Sequence, residues 1–375
     1  MRCIDEVPAS ELEGRRVLLR ADFNVPINAE GVVADIFRLK QGWKTVEYLS
    51  LKGARVIILT HVGRKPEETT EPIARAINEF AKAAYVPDLT GHLAKSVTSG
   101  MKDGEVVLLQ NVRSDPRETE NDETLARELA ALADFYVDDA FAAAHRAHAS
   151  MVGIPKFLPS AVGFLVRDEI RELTIARKPA HPSLAILGGA KFETKAPLVK
   201  TLLENYDHLF ITGALANDIF KARGLGVGRS LISKELPDQS ILSHPRLLAP
   251  IDVTVESSSK EARVKRPEEV GADDKIVDIG PDSVAALAPF IAEAKFILWN
   301  GPTGLYEEGY THYTASIAEL ISKSDAKKVI GGGDTIAAIE QSGIPQEHLG
   351  FLSTGGGAML EYLLKGTLPA IDALR

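Results

Sequence analysis

KKVIGGGDT, residues 327–335, is a short apolar run that breaks into three glycines and then into a polar pair. A buried parallel strand that delivers the chain to a turn at its carboxyl end reads this way, because both faces of the strand are covered and the turn needs backbone freedom. The same reading extends to LAILGG (184–189), HLFITG (208–213), IDVTVE (251–256), KFILWNG (295–301) and FLSTGGG (351–357). Amphipathic segments with apolar residues three and four apart, such as APLVKTLLENY, SVAALAPFIAEA and THYTASIAELISK, separate these runs. In the first half, VLLR (17–20), VIILT (56–60), VVLL (106–109) and FYVDD (135–139) alternate with RLKQGWKTVEYLSLKG and ETLARELAALA. Strand and helix in alternation predict an α/β chain of two doubly wound, Rossmann-like parallel-sheet domains. The break falls in GIPKFLPSAVGFLVRDEIRELTIARKPAHPS, where Pro155, Pro159, Pro179 and Pro182 bracket one helical pattern suited to a linker helix with hinges.

Composition narrows the classes. A length of 375 residues suits two domains, and 45% hydrophobic with 25% charged residues is the balance of a folded globular chain. The net charge of −9 is a poor basis for non-specific nucleic-acid binding. Cys3 is the only cysteine, so no internal disulfide framework exists. No apolar stretch approaches the ~18 residues of a membrane span, and MRCIDEVPASELEG carries acids where a signal peptide has an apolar core. The expected address is cytoplasmic, with no membrane partner.

In open parallel sheets ligands bind beyond the carboxyl ends of the strands. In the first half those positions hold Asp22 and Asn24, His61 and Arg64, Asn111 and Arg113, and then Asp139, His145, Arg146 and His148, with Arg38 in the segment after the first turn. Each arginine alone reads as a solvated charge, but four of them placed after strand ends in an acidic chain point to a shared polyanion site. The second-half rim is nearly uncharged and rich in glycine: Gly188 to Lys191, Gly213, Asn300 to Gly304, Gly331 to Thr335 and Gly355 to Gly357. Bare backbone and helix-opening N–H groups suit nucleotide phosphates.

No G-x-x-x-x-G-K-[ST] motif occurs, and GLGVG (224–228) follows a helical pattern and reads as a turn. Lys191 and Lys195 could supply the phosphate charge that a P-loop lysine gives, or could lie on an exposed helix face. Asp334 is the candidate Mg²⁺ ligand, since Mg²⁺ on nucleotide phosphates takes one or two protein carboxylates. Glu307 is a candidate ribose partner or a solvated loop acid. His145 and His148 lack further ligands for zinc.

RADFNVP (20–26), THVGRKP (60–66), LLQNVR (108–113), DDAFAAAHRAHAS (138–150), LGGAKFETK (187–195), WNGPTG (299–304), GGGDT (331–335) and STGGGA (353–358) resemble the phosphoglycerate kinase family, in its order and across nearly the whole chain. The resemblance implies reversible phosphoryl transfer between ATP and 3-phosphoglycerate, giving ADP and 1,3-bisphosphoglycerate, with Mg²⁺ and in a monomer. It implies a phosphoglycerate-binding domain of residues 1–158 plus 358–375, an inter-domain helix and hinge at 159–177, and a Mg-nucleotide domain at 178–357. Asp22, Asn24, Arg38, His61, Arg64, Arg113 and Arg146 then look like substrate contacts. Gly189, Lys191, Lys195, Gly213, Asn300, Pro302, Glu307, Gly332, Gly333, Asp334 and Thr335 look like the nucleotide site, with Asp334 at the metal and Arg38 and Lys191 as the catalytic pair. The family pattern also implies closure about the linker helix and the turn near Gly355. KPEETTEPIARAI is abbreviated against that pattern, and TGALANDIFKARG lacks an aromatic directly after its turn.

Overall fold

The computed structural model describes residues 1–33 and 36–375, which separate into two compact units: Met1–Arg171 with Thr367–Arg375, and Glu172–Gly366. The first carries β1 (Arg16–Ala21), α1 (Phe37–Leu51), β2 (Arg55–Leu59), α2 (Glu71–Ile77), β3 (Ala84–Val86), α3 (His92–Gly100), β4 (Val106–Leu109), α4 (Glu123–Ala130), β5 (Phe135–Asp139) and β6 (Ser160–Val162). Its sheet is parallel throughout, in the order β3-β4-β2-β1-β5-β6. From β1 the chain places β2 beside it, β3 at the edge and β4 between those two, then crosses to place β5 and β6 on the other side. The winding therefore reverses between β1 and β5, the point beyond whose carboxyl ends open parallel sheets take ligands.

FLVRDEIRELTIA forms α5 (Phe164–Ala176), and the division between the units falls inside it, after Arg171. The inter-domain segment expected at 159–177 thus contains β6 and residues of both units. At the far end, Thr367–Arg375 belongs to the first unit, whereas residues 358–366, expected there too, belong to the second.

The second unit carries β7 (Ser183–Leu187), α6 (Phe192–Asn205), β8 (His208–Ile211), α7 (Ala214–Ala222), α8 (Gln239–Leu242), β9 (Leu247–Leu248), β10 (Val253–Glu256), β11 (Ala262–Lys265), β12 (Lys275–Ile279), α9 (Pro281–Glu293), β13 (Phe296–Asn300), α10 (His312–Ser322), β14 (Lys327–Gly331), α11 (Gly333–Glu340), β15 (Phe351–Ser353) and α12 (Gly357–Lys365), before α13 (Pro369–Ala373) returns to the first unit. Its parallel sheet runs β15-β14-β13-β7-β8-β9, so the winding reverses between β7 and β13.

IDVTVE does not join that sheet. Its Val253–Glu256 pairs antiparallel with β11 and β12 in a separate three-stranded sheet. Val253 and Val255 are buried while Thr254 between them is half-buried, the period-two pattern of a strand with one covered face rather than two. β3 and β6, three residues each, were too short to stand out as apolar runs.

The second core shows why the strands hold. Ile186, Phe210, Ile297, Trp299 and Ile330 on the sheet meet Leu287 and Ile291 of α9 and Ile317 and Ile321 of α10. Ile297 is fully buried at the centre of β13, whereas Leu51 at the end of α1 is 81% exposed. Ile297→Ala should therefore lower unfolding free energy by about 3 kcal/mol, and Leu51→Ala by less than about 0.5 kcal/mol, in urea titrations followed by tryptophan fluorescence.

Candidate functional site

β1 is apolar except at its ends, and Arg20 near its carboxyl end is 1% exposed. Every nitrogen of its guanidinium donates: Nε to Ser150 Oγ at 3.0 Å, one Nη to the Ala21 carbonyl at 2.9 Å, the other to His61 Nδ1 at 3.1 Å. Ser150 passes the charge on, donating from Oγ to Glu118 Oε1 at 2.6 Å and from its N–H to Oε2 at 2.8 Å. Arginine can only donate, so His61 Nδ1 is the acceptor and the imidazole proton sits on Nε2. Burial first, then the charges of Arg20, Arg113, Arg146 and His148, push the His61 pKa down to about 2. The same causes bring His148 down to about 4, and burial with Arg146 and Arg20 lowers Arg113. His61 is a neutral donor held inside a cationic cluster.

Arg113 lies within electrostatic reach of Arg20, Arg64 and Arg146. Arg38, on the first turn of α1, donates to Asp22 Oδ2 at 3.2 Å, and Asp22 is fully buried with its other oxygen unpartnered among the described residues. Asn24 accepts the Gly63 N–H at 3.1 Å, and an Arg113 Nη donates to the Gly63 carbonyl. Asn24 thereby ties the turn after β1 to the turn after β2. Asn111 brackets the latter turn from below, accepting the Val62 N–H at 3.2 Å and donating to the Val62 and Glu68 carbonyls at 2.9 and 2.8 Å. Sequence reasoning missed Arg20, Ser150 and Glu118. A charge inside a continuously apolar strand was the available signal for Arg20.

Glycines dominate the second site for a steric reason. A Cβ on Gly301, where φ is +98°, would lie 2.5 Å from the Gly188 carbonyl carbon, and a Cβ on Gly188 would lie 2.6 Å from the Pro302 oxygen. Gly213, at φ +62°, would meet the Gly189 nitrogen at 2.9 Å. The turns after β7, β8 and β13 therefore pack backbone against backbone, tied by the Gly188 N–H to the Asn300 carbonyl at 2.7 Å. Thr335, fully buried in α11, accepts the Gly301 N–H at 2.7 Å and joins a fourth strand end to them.

These turns border a cavity of about 460 Å³ that Gly189, Gly213, Pro302, Glu307 and Asp334 help to line. Its apolar wall includes Phe220, Leu231, Val253, Val277 and Leu305. Phe220 comes from the TGALANDIFKARG segment itself, six residues beyond Ala214 where the turn ends, and Val253 and Val277 come from the small antiparallel sheet. Sequence spacing along the parallel strands gave no hint of that contribution. Asp278, also in the wall, is pushed up to about 7 by burial, against hydrogen bonds from Thr303 and the Ile279 N–H.

Lys195 donates to the Gly188 carbonyl at 2.8 Å, and burial lowers its pKa while the Asp334 charge opposes that. Lys191 is exposed at the start of α6 with φ +64° and ψ 71°. Asp334, exposed on the first turn of α11, accepts the Tyr306 hydroxyl at 3.0 Å. Asn300 lies beside Gly332, while Lys191, Gly332 and Gly333 stand outside the cavity lining. Among the described residues no group of three or more His, Cys, Asp or Glu could hold a metal, His145 and His148 included.

Comparison with known proteins identifies the family. The family model for phosphoglycerate kinase matches residues 5–366. The phosphoglycerate kinase of Moorella thermoacetica is 39% identical over 386 residues, covering 97% of each chain, and that of Salinispora tropica is 39% identical over 395 residues, covering 100% of this chain and 99% of its own. The solved structure of the Pyrococcus horikoshii phosphoglycerate kinase superposes with a TM-score of 0.88 at 30% identity, covering 100% and 98% of the two chains. The Coxiella burnetii structure gives 0.82 at 32% identity, covering 99% and 97%. A parallel-sheet unit edged with guanidinium groups, a second edged with glycine, and full-length relatives of one kind make this chain a member of the phosphoglycerate kinase family, the phosphotransferases that move a phosphoryl group between ATP and 3-phosphoglycerate.

Proposed function

We propose that the rim of the first unit holds 3-phosphoglycerate or 1,3-bisphosphoglycerate, and that the glycine turns of the second hold ADP or ATP with Mg²⁺. The observation that carries this is the cluster at the strand ends in which His61 hydrogen-bonds Arg20 and both His61 and Arg113 feel the charges of Arg20 and Arg146. Like charges gathered without a matching set of acids store repulsion, which a bound polyanion relieves. Arg64, Arg113 and Arg146 serve as the phosphate cradle in this reading, with His61 donating from Nε2. Asn24 and Asp22 fix the loop and the Arg38 guanidinium.

The acceptor on 3-phosphoglycerate is a carboxylate with a pKa near ~3.5, already ionised at neutral pH, so no general base is required. The difficulty is the approach of one anion to another. Arg38 and Lys191 stabilise the charge on the transferring group, and the loaded cradles must be brought together for in-line transfer, by closure of the two units. In the second unit the apolar cavity takes the base, Glu307 the ribose, and Lys195 and the turn amides the phosphates. Asp334 supplies one carboxylate, which fits an ion that arrives with the nucleotide phosphates rather than one caged by protein alone. When bound, that ion neutralises phosphate oxygen charge. Monomeric action in the cytoplasm, without nucleic acid, completes the proposal, and the lone Cys3 accords with a reducing compartment.

Arg38→Ala should lower turnover by about 10³-fold or more with nucleotide affinity little changed, read in a coupled NADH assay with ATP and 3-phosphoglycerate. Normal turnover in that variant removes Arg38 from its role. Asp334→Ala should weaken Mg-nucleotide binding by about tenfold or more in calorimetric titrations, and an unchanged isotherm counts against the metal assignment. His61 offers a pH test. Its folded pKa of about 2 lies below the ~6.5 of an unfolded histidine, so the unfolded chain gains a proton that the fold refuses. The stability this group contributes is complete above pH ~6.5 and is lost as pH falls. Asp138 and Asp139, raised to about 6 and about 7 by burial, pull the other way, losing their contribution as pH rises. Between pH 6.5 and 4.5, His61→Gln should therefore lose less stability than the unaltered chain, by on the order of 2 kcal/mol, in urea titrations at each pH.

A further inference from the structure

Lys191 departs from ordinary backbone geometry: it is a non-glycine residue in the left-handed region at the start of α6. Such a conformation costs on the order of 1 kcal/mol and persists only where surrounding contacts dictate it. It has no side-chain cap of its own to hold the helix start. The restraint comes from elsewhere in the chain. Ser233, 41 residues on, accepts the Phe192 N–H, the first amide of α6, at 2.7 Å through its Oγ. The same hydroxyl donates to Asp218 Oδ2 at 2.8 Å, and the Ser233 N–H donates to Asp218 Oδ1 at 2.7 Å. Asp218 is fully buried in α7, and both of its oxygens are occupied by this one serine. Asn217 beside it donates to the Leu231 carbonyl at 3.1 Å, so α7 grips the Leu231–Ser233 loop at two points. Leu231 in turn lines the cavity assigned to the base.

We infer that Asp218 and Ser233 are positioning residues for Lys191, acting through the first amide of α6. The inference rests on the assignment of Lys191 to the transferring phosphoryl group. Ser233 is both donor and acceptor, and its orientation is fixed by the Asp218 carboxylate, which leaves the Oγ lone pair directed at the Phe192 amide. Losing it frees that amide and the torsions of the residue before it, and Lys191 then samples other backbone states while the substrate rim of the first unit is untouched.

The test uses the full-length enzyme and the variants Ser233→Ala, Ser233→Thr, Asp218→Asn and Lys191→Ala. Turnover and KM for each substrate are measured, together with hydrogen exchange at the Phe192 amide. Ser233→Ala and Asp218→Asn should lower kcat about tenfold with KM for 3-phosphoglycerate unchanged and with faster exchange at Phe192. Ser233→Thr, which keeps the hydroxyl, should restore kcat to within about twofold. Normal kcat in Ser233→Ala, with or without a lowered melting temperature, overturns the inference, as does an equally protected Phe192 amide. Lys191→Ala separates the two layers. If it is inactive while Ser233→Ala is fully active, the positioning role alone fails; if it turns over normally, the role of Lys191 fails and this inference with it.

Discussion

The guanidinium of Arg20 is removed from water, and none of its direct partners is an anion: a hydroxyl, a carbonyl and a neutral imidazole take its protons. A cation so placed is tolerable only if its hydrogen bonds are complete and a counter-charge is near. Ser150 meets the second condition by relaying to Glu118, itself 1% exposed. This chain of contacts spans β1, the turn after β2, the short helical segment holding Glu118 and the segment after β5. It therefore fixes the spacing of the strand ends that carry the other cations. It also fixes the tautomer of His61, so the second ring nitrogen carries a proton to donate where a protonated ring would only add repulsion.

The second unit builds its strand ends by the opposite means. Its strand ends approach so closely that Gly188, Gly213 and Gly301 leave no volume for side chains. Lys191, Lys195 and Asp334 bring charge to these turns, and Asp278 and Glu307 bring it to the cavity wall. In the proposed assignment, a metal-bearing nucleotide gains from amide dipoles and an apolar slot, while a small, densely charged acid gains from arginine donors. The division of labour between the two sheets is an electrostatic one.

Much of this was legible in the sequence. Continuous apolar runs ending in glycine or in a polar cluster located the central strands, and the topological rule for parallel sheets then assigned the rims. Asp22, Asn24, Arg38, His61, Arg64, Arg113 and Arg146 occupy one rim, and Gly189, Gly213, Pro302, Glu307 and Asp334 border one cavity. IDVTVE was misplaced, since apolar content alone does not distinguish a strand covered on both faces from one covered on a single face; the valine–threonine alternation carried that information.

What the chain determined by itself was the local alternation of strand and helix, the chemistry available at each strand end, and the turns that only glycine can make. These depend on near neighbours and on side-chain size, so they can be read from adjacent letters. Only the tertiary structure decided that Arg20 is a buried hub, that Val253 and Val277 of a second small sheet wall the cavity, and that Ser233 caps a helix starting 41 residues earlier. Those contacts join residues far apart in the chain, and hydrogen-bond direction and burial exist only once the strands have been laid side by side.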